Sequence, residues 1–202
     1  MTAQIRQKEE FKRRIVDFSI QGVENFLKEH PDLEFNVFLF ACNTSESSID
    51  LFFNTELEFR NTLKGFQEEF SCQNVSNQEI RDLKYGISHC PYYYPDTFYL
   101  FGDEEFDDLF MSLCGYKDDE SFWAAEGAGT IDTSLWEEYL RNLLELFTES
   151  LLEFTKTEAY EKIPKTKDFA AYCINVGEDV EQAIDRLNSI TKKNDLQKNA
   201  SR

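Results

Sequence analysis

The stretch Phe35 to Cys42 constrains this chain more than any other: every residue in it except Asn36 is apolar, and it is rich in aromatic and branched side chains. A strand with one wet face alternates polar and apolar residues, so this unbroken run predicts a strand covered on both faces. Asn43 to Ser48 are all small or polar, and Ile49 to Phe53 form a second short apolar run. The pair reads as neighbouring antiparallel strands joined by a turn. Phe169 to Val176 reads as a third strand.

Helical spacing supplies the cover. Phe11, Ile15, Phe18, Gly22 and Phe26 recur every three or four residues until His30-Pro31-Asp32. This is an amphipathic helix stopped by proline, which disfavours helical geometry in the residue before it. Thr55 and Glu58 match a capping box ahead of Phe59, Leu63, Phe66 and Phe70, a stripe expected to lie on the sheet. Ser134 and Glu137 match another, ahead of Trp136, Leu140, Leu143, Phe147, Leu151 and Phe154, the longest helix expected. Val180, Ile184, Leu187 and Ile190 mark a closing helix, and the polar tail from Lys192 to Arg202 reads as disordered.

Between Ser71 and Thr130 the periodicity lapses. Ile80 to Ile87 reads as a short helix leading into an extended piece, and Cys90 to Pro95 is bracketed by prolines and must be non-helical. Gly102 to Leu113 reads as a helix with Phe106, Leu109, Phe110 and Leu113 inward and its acids outward, stopped at Gly115. Glu126 to Thr130 is the most linker-like stretch. Together these elements predict one α+β domain over residues 1–191, a small and at least partly antiparallel sheet covered by amphipathic helices.

The chain carries 39 acidic against 21 basic residues, a net charge of -18, together with 19 phenylalanines. Such aromatic content argues for a folded core beneath an acidic surface rather than an acidic disordered tail. Solubility is one reading of the whole of that charge. The charge also opposes nucleic acid and anionic membranes as partners, because association would begin with like-charge repulsion, and favours a basic protein partner. No run approaches the roughly 20 apolar residues of a membrane span. Met1 to Arg14 contain no apolar signal region, and the expected location is the cytoplasm.

Chemistry-bearing motifs are sparse. Five cysteines, Cys42, Cys72, Cys90, Cys114 and Cys173, include no C-x-x-C pair and read as buried thiols. His30 and His89 lack a second ligand at metal spacing. Glycine-rich phosphate loops and G-x-S-x-G are absent, so no cofactor is expected. The run Asp103, Glu104, Glu105, Asp107 and Asp108 lacks the alternation and glycine of a calcium loop. As a partner surface, Asp103, Glu104, Asp107, Asp108, Asp118, Asp119 and Glu120 stand beside Tyr92, Tyr93, Tyr94, Phe98, Tyr99, Phe101, Phe122 and Trp123. Tyrosine with carboxylate suits recognition of Lys and Arg, through cation–π contact and charge-assisted hydrogen bonds. At least one of the three consecutive tyrosines should face outward.

Val37-Phe38-Leu39-Phe40, the run Leu51 to Glu56, Leu83-Lys84-Tyr85-Gly86, and Phe169 to Val176 followed by a helix ending near Leu187-Asn188 succeed one another in an order that resembles an uncharacterised bacterial domain family. Members of that family often sit in polymorphic toxin loci as candidate immunity proteins. The chain departs from it at His89-Cys90-Pro91-Tyr92, where a tryptophan-containing segment is expected. The resemblance implies a small non-enzymatic binding protein that neutralises a toxin with a basic active surface. A carboxylate-dependent hydrolase or transferase and an acidic structural or regulatory module are the alternatives.

Overall fold

A computed structural model describes residues 3–70, 74–116, 119–128, 130 and 132–200. Strand β1 (Phe35–Asn43) is the centre of the sheet. Strand β2 (Ser48–Thr55) runs antiparallel beside it, Phe38 opposite Phe53 and Phe40 opposite Leu51. On its other side β5 (Lys165–Asn175) runs parallel, Phe38 opposite Ala171 and Phe40 opposite Cys173. Two short pieces, β3 (Tyr92–Tyr93) and β4 (Phe98–Tyr99), share the outer edge of β2. The expected α+β architecture is therefore present, with a mixed sheet of order β3-β2-β1-β5.

The apolar run of β1 is buried from Phe35 through Cys42 because helices lie on both faces. On one face Phe38, Phe40, Ile49, Leu51 and Phe53 form a single core. Helix α1 (Ala3–Glu29) contributes Ile15, Val23 and Phe26, and α6 (Ser134–Phe154) contributes Leu143, Phe147, Leu151 and Phe154. On the other face Val37, Leu39, Tyr172 and Ile174 meet Val180 and Ala183 of α8 (Val180–Ala200), with Tyr85 and Ile87 alongside. A register shift between Phe35 and Val37 lets Phe35 join Phe38 in the first core despite their odd spacing, as an inserted residue in a strand does.

Several local expectations change. Helix α1, at 27 residues, is longer than α6, at 21. Thr55 Oγ1 accepts from the Glu58 N–H at 3.2 Å and starts α2 (Glu56–Glu69), but the Asn54 carboxamide oxygen takes the Thr55 N–H that a full capping box would leave to Glu58. Of the α2 stripe only Phe59 is buried, Leu63 and Phe66 are half-buried, and Phe70 is 59% exposed. Helix α2 rests on β2 and on α3 (Asn77–Tyr85), whose Tyr85 lies on the α8 face of the sheet, and leaves its far end in solvent. The reciprocal capping box lies instead at Ser76 and Glu79, at the start of α3.

Helix α6 begins one residue outside the expected box. Thr133 Oγ1 donates to Glu137 Oε1 at 2.8 Å, and the Ser134 N–H goes to Asp132 Oδ1 at 3.0 Å. Helix α5 (Asp119–Ala128) covers the beginning of the stretch read as a linker. Helix α8 runs on through residues 192–200, where a disordered tail was expected. The segment is built of helix-compatible residues with no proline or glycine, and Lys193 approaches Glu145 of α6 at 3.9 Å. The short helix α7 (Glu158–Glu161) joins α6 to β5 and buries Ala159.

Candidate functional site: an open aromatic sheet face beside an acidic helical segment

The β2 edge is held in place by the side chain of Asn54, which is fully buried. Its Nδ2 donates at 3.2 Å to the carbonyls of Lys84 and His89, tying the end of α3 and the following turn to β2. The chain then enters β3 with Tyr93 opposite Phe52 and Tyr92 opposite Phe53. Pro95, which has no N–H to offer the ladder, interrupts the edge, and β4 resumes it with Phe98 opposite Ile49 and Tyr99 opposite Ser48. Backbone bonds from Tyr94 N to Leu51 O at 2.9 Å and from Leu100 N to Ser47 O at 3.0 Å carry the pairing past the break.

Alternation then separates the aromatic residues. Tyr92 and Phe98 turn toward the α1 and α6 core. Tyr92 packs on His30 and Phe35, while Phe98 packs on Phe18 and lies under the Arg14 guanidinium at 5.6 Å. Tyr94 is buried against Phe18. Tyr93 and Tyr99 turn to the opposite face, 59% and 51% exposed, with Phe52 at 5.8 Å from the Tyr93 ring. Between them on that face, at the alternate position of β2, stands half-buried Asp50, its carboxylate accepting from Thr97 Oγ1 at 2.6 Å. Asp50 was not among the residues singled out from the sequence. Its signal was an acid inside the alternating run Ser48-Ile49-Asp50-Leu51-Phe52, but the sequence does not say which face stays open.

Four residues after Tyr99 the chain enters α4 (Asp103–Leu113). Glu105 accepts the Gly102 N–H at 3.3 Å, and Gly115, with φ +80°, follows the helix as expected. Aromatic contacts pin α4 down: Phe101 meets Phe11 and Phe106, while Phe106 and Phe110 meet Trp136 at 5.0 and 4.9 Å. Phe106 is buried and Leu109, Phe110 and Leu113 are half-buried, leaving Glu104, Asp107 and Asp108 exposed. In α5, Glu120 is exposed and Trp123 is 61% exposed. Asp103 and Asp119 lie at the first positions of α4 and α5, and Asp118 falls outside the described residues.

The charge is concentrated here. Between Tyr85 and Leu140 thirteen acidic residues face one lysine, Lys117, so this segment carries -12 of the net -18. Elsewhere bases are more numerous and many are engaged, as in Lys8 with Glu149, Lys84 with Glu56 and Asp168, and Lys162 with Glu24. Among the described residues no ion pair involves Asp50, Glu104, Asp107, Asp108 or Glu120. The tyrosines and acids expected to form one patch thus divide. Tyr93 and Tyr99 lie with Asp50 on the sheet, the helical acids follow beyond Tyr99, and Tyr92 and Tyr94 belong to the packing.

The other chemistry-bearing groups serve the fold. Cys42, Cys90 and Cys173 are buried and Cys114 is half-buried; Cys72 lies outside the described residues. Cys42 and Cys173 bring their Sγ atoms to 3.1 Å. Burial raises the Cys42 thiol, and its neighbour Cys173 also meets burial, which is outweighed by the hydrogen bond shared with Cys42 and the Arg186 charge. Arg186 donates to the Cys173 carbonyl at 2.7 Å and to Thr148 Oγ1 at 3.2 Å, and pairs with Glu178, joining α8 to β5 and α6. A cleft of about 380 Å³ is lined by Asp82, Glu178 and Asp179 beside His89. Those carboxylates are occupied: Asp82 accepts from Gln78, Glu178 pairs with Arg186, and Asp179 accepts the Gln182 N–H of α8. Among the described residues no three His, Cys, Asp or Glu side chains converge as metal ligands, and no helix is long and apolar enough to cross a membrane. In comparisons with protein families, curated proteins and solved structures, nothing matches the chain.

Proposed function

We propose that this is a non-enzymatic binding protein of the immunity type, acting in the cytoplasm, which occludes the basic surface of a toxin with its acidic helical segment. The observation that carries the reading is the concentration of -12 of the net charge between Tyr85 and Leu140, a segment whose exposed helical acids Glu104, Asp107, Asp108 and Glu120 have no ion-pair partner among the described residues. A field of one sign accelerates encounter with an oppositely charged surface and rejects wrong partners. Proteins that cleave nucleic acid carry such basic surfaces, since phosphate binding requires them. The exposed rings of Tyr93, Tyr99 and Trp123 supply amphipathic contact area of the kind that interfaces favour.

The test is a combined Glu104→Gln, Asp107→Asn, Asp108→Asn and Glu120→Gln variant, measured for association with the product of the adjacent open reading frame, which this reading expects to be a basic toxin domain. All four side chains are exposed, so the melting transition should stay in place. Association at low salt should slow by about tenfold or more, and its dependence on salt should flatten. An unchanged association rate, or the absence of any complex with that domain, would overturn the reading.

A further inference from the structure

We infer that the open sheet face at Tyr93, Asp50 and Tyr99 is a receptor for one arginine or lysine side chain of the basic partner, an inference that rests on the binding reading above. Strand alternation puts the three groups on one face: Tyr93 lies opposite Phe52, Tyr99 opposite Ser48, and Asp50 midway between those two β2 positions. Two residues of strand span about 6.6 Å, so each tyrosine stands one strand over and one such step along from the carboxylate. A cation seated over Asp50 therefore has an aromatic wall on either side. Both rings are more than half exposed, and Phe52 backs the Tyr93 ring.

The carboxylate is prepared for that guest. Thr97, from the turn between β3 and β4, donates to one oxygen of Asp50 at 2.6 Å, which orients the group and leaves its other oxygen for a donor. The chain does not fill the place itself. Among the described residues the cation–ring contacts go to Phe59, Tyr85, Phe98, Tyr160 and Phe169, and none to Tyr93 or Tyr99. No Lys or Arg pairs with Asp50 among those residues either. Charge complementarity chooses the occupant: the acidic helix α4 begins four residues beyond Tyr99, so a surface drawn to it presents cations to this face. The helical acids then govern encounter, and the Tyr93, Asp50 and Tyr99 group governs retention.

The inference is tested by titrating the full chain with a hexa-arginine peptide at physiological salt, about 0.15 M, while following assigned tyrosine ring resonances. The rings of Tyr93 and Tyr99 should shift and those of buried Tyr94 and Tyr172 should not. Tyr93→Ser and Tyr99→Ser should each weaken binding by about two- to fivefold, and Tyr93→Phe, which keeps the aromatic face, should cost less. Asp50→Asn should weaken it further without loss of the native spectrum. With the toxin domain, these variants should speed dissociation and leave association unchanged, the reverse of the helical acid variant. Silent Tyr93 and Tyr99 rings, or wild-type dissociation in the variants, would overturn the receptor. The binding reading would still stand if the helical acid variant slowed association.

Discussion

Gly22 and Gly65 both occupy helix interiors, and the same substitution to alanine should move stability in opposite directions at the two positions. A methyl group added at Gly22 would lie 2.7 Å from Leu51 Cδ1 and 3.0 Å from Tyr94 Cδ1, where α1 faces β2. Leu51 is fully buried and Tyr94 nearly so, which leaves the Leu51 methyl little room to retreat. At Gly65 of α2 a methyl group meets nothing within 4 Å. Alanine gains about 1 kcal/mol over glycine from backbone propensity in either helix. Overpacking at Gly22 costs about 1–3 kcal/mol, so Gly22→Ala should run from neutral to about 2 kcal/mol destabilising, whereas Gly65→Ala should stabilise by up to about 1 kcal/mol. The difference between the variants isolates the steric cost, because propensity cancels. Urea denaturation at unchanged slope measures it, and each kcal/mol should also move the Tm by about 2–4 °C. In a Leu51→Val background the offending Cδ1 is gone, and Gly22→Ala should recover at least about 0.5 kcal/mol. Equal stabilisation by both alanines, or no coupling to Leu51→Val, would refute this account of how α1 seats on the sheet.

Two further predictions concern α2 and its neighbours. Phe59→Ala should cost about 3–5 kcal/mol in chemical denaturation because Phe59 is buried, while Phe70→Ala, on the same helical stripe but 59% exposed, should stay within about 0.5 kcal/mol of wild type. Lys84 bonds to Asp168 and holds that carboxyl below its ordinary 3.8, with Thr166 assisting. The stabilisation that follows is present above that value and lost as pH falls through the depressed one. The stability gap between wild type and Lys84→Met should therefore be widest near neutrality and narrow at acid pH, and a gap that widened on acidification would contradict it.

Much of the fold is legible in residue spacing. The unbroken run Phe35 to Cys42 has a helical layer on each face, and the turn at Asn43 to Ser47 does join antiparallel strands. The outward acids of α4 follow from the inward positions of Phe106, Leu109, Phe110 and Leu113. The site is less legible. Alternation requires one of Tyr92, Tyr93 and Tyr94 to face outward, but that it is Tyr93 depends on pairing with Phe52 across a gap of forty positions in the chain. Asp50 acquires its neighbours by the same long-range pairing.

Period and alternation determine which residues of one element share a face, since the helical and extended backbones repeat by geometry internal to the segment. They do not determine which faces are covered. The stripes of α1 and α2 follow the same spacing, yet α1 buries Ile15, Gly22 and Phe26 and half-buries Phe11 and Phe18, whereas α2 keeps only Phe59 inside, because α1 packs against both the sheet and α6 while α2 meets chiefly β2 and α3. The open face at Tyr93 and Tyr99 arises in the same way: α8 covers β1 and β5 but leaves these two residues of β3 and β4, beyond β2, to solvent. Burial is a property of pairs of elements brought together by the whole chain, and only the tertiary structure decides it.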